Sequence, residues 1–153
     1  MNTLRPLLAA LALAAAGLVS AQAQAQTTVK DAWVRGTVPQ QKATGMFANI
    51  VSAGGGKLVS ASSPVAGVVE IHEMAMDGTT MRMRAVNAIE LPAGKAVELK
   101  PGGYHVMLMD LKQQMKVGDT VAVTLVVEGA GGKRESIEVK AAVKALGTSD
   151  HKH

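Results

Sequence analysis

A chain of 153 residues is long enough for one domain with a substantial core. Its 16 basic and 12 acidic residues give a formal net charge of +4, and the bases are scattered among the acids, which excludes the basic stripe of a nucleic-acid binder. The absence of Cys removes disulfide frameworks, thiolate chemistry and every Cys-based metal site, and the three aromatic residues (Trp33, Phe47, Tyr104) offer no stacking platform for bases or sugars.

The chain opens Met1-Asn2-Thr3-Leu4-Arg5, runs apolar from Leu7 to Val19 and continues Ser20-Ala21-Gln22-Ala23. A basic start, a short apolar run and an Ala-x-Ala site predict a signal peptide over 1–23, with cleavage after Ala23 or Ala25. The run is too short to span a bilayer comfortably, and nothing later resembles a membrane helix. The expectation is an exported, soluble protein with no membrane span once mature. Loss of Arg5 with the leader would leave 15 basic residues against 12 acidic ones.

After a polar start, Gly, Pro or Asp-Gly punctuates the chain every eight to twelve residues, with short β-branched runs between. That spacing predicts an all-β sandwich or barrel over 28–146, followed by a polar tail over 147–153. Expected strands are Val29–Arg35, Gly45–Ala53, Lys57–Ala61 and Gly67–Met74. Asp77-Gly78 is then expected as a hairpin turn, with Thr80–Val86 as the partner strand. Further strands are expected at Ala96–Lys100, Tyr104–Leu111, Asp119–Glu128 and Glu135–Val143. Val121, Val123, Leu125 and Val127 mark the core face of one, and Ile137 and Val139 alternate with Glu138 and Lys140 in the last.

The chemistry concentrates between His72 and Met109. Six of the nine methionines (Met74, Met76, Met81, Met83, Met107 and Met109) fall in this stretch, with both histidines outside the tail. Met81 and Met83 alternate with Arg82 and Arg84, which sends sulfurs to one strand face and charges to the other. His105 and Met107, two apart on a strand, share a face and could meet at one ion. His72 and Met83 flank the hairpin, close enough in sequence to join them. Thioethers favour Cu(I), whereas Mg²⁺ and Ca²⁺ require oxygen and zinc prefers His with Cys or carboxylate. Taken singly, a Met is more often core filling and a strand His more often structural, and His72 beside Glu70 and Glu73 could lie on the surface. The residues alone leave the metal-site and core readings side by side.

The order His72, ten residues, Met83, twenty-one residues, His105, one residue, Met107 resembles the H-x10-M-x21-H-x-M signature of the PCu(A)C-type periplasmic copper chaperones. Asp31-Ala32-Trp33-Val34-Arg35, Ile71-His72-Glu73-Met74, Met81-Arg82-Met83-Arg84 and Leu99-Lys100-Pro101-Gly102-Gly103-Tyr104-His105-Val106-Met107-Leu108-Met109 are similar to that family too. The resemblance implies a cupredoxin-like Greek-key β-sandwich in the periplasm. It implies one Cu(I) bound by His72, Met83, His105 and Met107. Beside that set, Met74, Met81 and Met109 are expected to shield the site. It further implies delivery toward the CuA centre in subunit II of cytochrome c oxidase, alongside Sco-type proteins. Some members carry Met after the first His, where this chain has Glu73. Others extend into a longer His- and Met-rich tail that takes Cu(II). Here only His151-Lys152-His153 remains, which could help capture Cu(II) weakly.

Three competing readings bear on the same residues. A blue-copper electron carrier needs a Cys thiolate, which this chain lacks. A copper-sequestration protein would use the same four ligands as a chaperone. A β-sandwich adaptor with a Met-rich core would bind no metal. No Ser/His/Asp set or acidic metal cluster stands out, so the chain is read as a carrier and not an enzyme.

Overall fold

Apolar residues recurring every second position make strands with one face toward a core, and the computed structural model, which describes residues 26–145, has ten of them. In chain order they are β1 (Thr27–Arg35), β2 (Ala43–Ser52), β3 (Gly56–Ser62), β4 (Ala66–Asp77), β5 (Thr80–Ala85), β6 (Ile89–Leu91), β7 (Ala96–Leu99), β8 (His105–Leu111), β9 (Thr120–Gly129) and β10 (Arg134–Lys144). A short 3-10 turn, Ala130–Gly132, joins the last two. The expected leader over 1–23 and tail histidines His151 and His153 lie outside the described residues.

The strands pair in the order β5-β4-β8-β2-β1-β10-β9-β3-β6, with β7 pairing on β2 beyond β8. The path curls on itself, bringing β3 against β4 and β6 against β2, and encloses one core. This is the all-β, cupredoxin-like architecture. Val121, Val123, Leu125 and Val127 of β9 are all buried in that core, as their alternation predicts. They share one core cluster with Met46, Ile50, Leu58, Val106 and Leu108 from other strands. The short β6 went unpredicted because Ile89 and Leu91 give only two apolar positions before Pro92.

One irregularity positions the site. Val29 and Val34 of β1 both pack on the core, although five residues apart they belong on opposite faces of a regular strand. An extra residue resolves the conflict: Lys30 pairs with Asn49 and Trp33 with Phe47, so β1 takes three steps where β2 takes two. Asp31 absorbs this bulge at φ 55°. Past it, Trp33 faces Phe47 on the side of the sheet away from the main core.

Candidate metal centre

The hairpin that closes β4 onto β5 sets which side chains share that outer face. Asp77 pairs with Thr80, so Gly78 and Thr79 form the two-residue turn, one position later than Asp77-Gly78 suggests. Gly78 sits at φ 64°, the positive value such turns require. Met76 then pairs with Met81, Met74 with Met83, and His72 with Ala85. On its other side β4 pairs with β8, placing His72 opposite His105 and Glu70 opposite Met107. Directly paired residues project to the same face. One face therefore carries His72, Met74, Met76, Met81, Met83, His105 and Met107 together. Arg82 and Arg84 turn to the other face, where they bridge Asp77 and Glu73.

His72 and His105 are both buried, and their ring centroids lie 5.7 Å apart in an edge-on arrangement. Each ring has one nitrogen tied to the protein. His72 Nε2–H donates to Glu70 Oε2 at 2.7 Å, and His105 Nδ1–H donates to the Gly103 carbonyl at 3.1 Å. An acceptor on one nitrogen leaves the lone pair of a neutral imidazole on the other. Those other nitrogens, His72 Nδ1 and His105 Nε2, are buried with no hydrogen-bond partner. Burial holds the His105 imidazole below the usual histidine pKa, and the nearby His72 and Arg35 act in the same direction against the opposing Gly103 carbonyl. Two buried ring nitrogens without partners suit a cation and carry a desolvation cost without one.

Thioethers surround this pair. Met74, Met83, His105 and Met107 line one cavity of about 350 Å³, together with Arg35 and Phe47, whereas Met81 and Met109, expected to shield the site, are not part of that lining. His72 lies beside that lining, against His105. Met83 is 49% exposed, so the cavity opens to solvent on the hairpin side. Among the described residues no group of three or more His, Asp or Glu could hold a metal, and the side chains beside the two rings in this cavity include three thioethers. A larger cleft of about 640 Å³ at the far end of β1 and β2 is lined by residues such as Thr27, Ser52 and Lys133, with no His or Met.

All four residues singled out by spacing thus share one face. The pairing differs in detail, because Met83 stands opposite Met74 and only diagonal to His72. The aromatic support was not foreseen. Trp33 packs on Phe47 at 4.6 Å between centroids, and Phe47 on His105 at 6.2 Å. The Phe47 ring leans over Gly45, where a Cβ would meet it at 2.8 Å. Arg35 covers the same ring at 5.7 Å. The orienting role of Glu70 was not foreseen either, and His72 is buried where a surface position was the alternative, although the alternation Glu70-x-His72 places both on one face.

The family described as "Putative lipoprotein LpqE-like" matches residues 27–143. A relative from Leifsonia xyli subsp. xyli, "Putative lipoprotein Lxx21020", is 33% identical over 100 residues, spanning 63% of this chain and 59% of its own length. Among solved structures, the apo PCuAC domain from PmoF1 is similar with TM-score 0.64 and 28% identity, covering 79% of this chain and 95% of that domain. The copper-bound PCuAC domain from PmoF2 gives 0.63 and 26%, covering 80% and 96%. The Cu(I) form of DR1885 from Deinococcus radiodurans gives 0.59 and 33%, covering 85% of each chain.

Proposed function

The chain belongs to the LpqE-like family and has the fold of PCuAC domains, and from that premise we propose that it is a periplasmic copper chaperone. It carries one Cu(I) on His72 Nδ1, His105 Nε2 and the sulfurs of Met83 and Met107. The observation that carries this reading is the pair of buried ring nitrogens without partners, set beside a thioether-lined cavity. The solved neighbours described as copper-bound and Cu(I)-bound support the choice of metal.

The donor set suits the cargo. Two neutral imidazoles and two thioethers bring no negative charge, and soft sulfur matches Cu(I) in preference to harder ions. Neither thioether needs deprotonation, so loading does not depend on thiol ionisation. The Glu70 carboxylate behind His72 fixes its tautomer and partly offsets the ion's charge. His72 and His105 anchor the ion from buried positions, while half-exposed Met83 is the ligand a partner can displace first. Release then proceeds one bond at a time by ligand exchange, with no acid–base step and no change in oxidation state.

Delivery runs toward the CuA centre of cytochrome c oxidase subunit II, alongside Sco-type proteins, after export and removal of the leader. His151 and His153 add a weak capture point for Cu(II). Deleting the gene separates delivery from sequestration. Loss of oxidase activity at low copper, restored by added copper, is the expected result. Copper sensitivity with normal oxidase would make the protein a store.

A further inference from the structure

Of the thioethers outside the four-ligand site, Met76 and Met81 are the ones poorly explained by packing. Met76 is 62% exposed and Met81 46% exposed, so neither contributes much apolar burial. They pair directly across β4 and β5 at the tip of the hairpin, on the face that carries the inner residues. Direct cross-strand partners hold their Cβ atoms about 5 Å apart, a span that two flexible thioethers can close onto one ion. The next pair inward on the same face is Met74 with Met83, about 7 Å away at two residues' rise per strand. Beyond it lies His72, paired with His105. The other face of the hairpin is held by the Arg82–Asp77 and Arg84–Glu73 ion pairs, which leaves the sulfurs unobstructed by charge.

We infer that Met76 and Met81 form an outer Cu(I) station at the hairpin tip, which takes up the ion from solution or a donor and hands it inward through Met74 to the His72/His105 site. The inference rests on the copper reading above. The ion stays Cu(I) throughout. A bond to the Met74 or Met83 sulfur forms before the bonds to Met76 and Met81 break, and the same exchange then brings in the histidine nitrogens. A station with two neutral thioethers binds more weakly than four mixed donors, so the ion moves inward at equilibrium. Its contribution is to raise the local concentration of the ion beside the inner ligands.

The test uses protein labelled with ¹³C at the Met methyl groups, titrated with Ag(I) as a redox-inert, thioether-seeking stand-in. The first equivalent is expected to shift the Met83 and Met107 methyls. The second should shift Met76 and Met81, while Met46 and Met115, both fully buried in the core, stay in place as internal controls. Met76 and Met81 methyls that do not move through two equivalents would overturn the outer station. Movement of Met76 and Met81 with Met83 and Met107 unmoved would instead overturn the inner four-ligand reading. A double variant, Met76→Leu with Met81→Leu, leaves all four inner ligands intact and conserves volume. It should take up Cu(I) from a chelator complex about tenfold more slowly, with unchanged equilibrium affinity. Uptake at the unaltered rate would remove the relay.

Discussion

His72 and His105 stand directly opposite one another on β4 and β8, and each has one ring nitrogen held by the protein and the other buried without a partner. The arrangement follows from register. A slip of one residue between β4 and β8 would turn one ring to the far face, so the core residues Ile71 and Val106, also paired, hold the site in place from behind.

Glu70 orients His72, so Glu70→Gln should weaken Cu(I) affinity by about 10–100-fold, the usual effect of removing such a partner. The Glu70 side chain is 44% exposed, so the fold should persist. Chelator competition alongside a thermal melt reads both quantities. Wild-type affinity in the variant would show that the 2.7 Å hydrogen bond plays no part in binding.

Phe47 supports His105 from beneath and is 3% exposed. Truncation to Ala removes a buried ring and should cost about 3–5 kcal/mol in urea unfolding. Trp33, which packs on that ring, becomes wetter, so the native emission should move to longer wavelength. A variant as stable as wild type, with unchanged Trp33 emission, would contradict the ladder from Trp33 through Phe47 to His105.

The depressed pKa of His105 has a consequence for the copper-free protein. Unfolded, the imidazole takes a proton near pH 6.5, whereas the native state resists protonation to lower pH. Between the two the unfolded state holds more protons, so this contribution is fully present above about pH 6.5 and is lost as pH falls toward the native value. Urea midpoints should therefore drop between about pH 7.5 and pH 5.5, and His105→Asn should flatten that slope. The same slope in the variant would assign the loss to other groups.

Exposure orders the methionines by vulnerability. Mild peroxide should convert Met76, Met81 and Met83 to sulfoxides well before buried Met46 and Met115, and oxidation at Met83 should abolish tight copper binding. Preloading with Cu(I) under anaerobic conditions should shield Met83 and Met107 from subsequent oxidation. Peptide mass spectrometry follows each site. Equal oxidation of Met83 with and without copper would argue against its ligation.

Much of this centre could be read before the structure, because the period-2 rule puts Glu70, His72, Met74 and Met76 on one face, and His105 with Met107 on one face. The order of residues could not give the register that joins those faces. It depends on the Gly78-Thr79 turn, which sets Met74 rather than His72 opposite Met83, and on β4 pairing with β8 across 32 intervening residues between His72 and His105. Trp33 and Phe47 stayed hidden for a similar reason. They meet only because the bulge at Asp31 turns Trp33 to the outer face, and no apolar alternation signals one extra residue. The strands with clean alternation, β9 and β10, were the easiest to place because their core faces need no partner to be recognised.

His72, Met83, His105 and Met107 are the proposed ligands of one Cu(I). A competition titration of the protein with a colorimetric Cu(I) chelator, beside Met83→Ala and His105→Ala variants checked for folding, tests that assignment most directly. The wild type should retain one tight equivalent, lost or greatly weakened in both folded variants. No retention by the wild type, or retention untouched by either change, would contradict it.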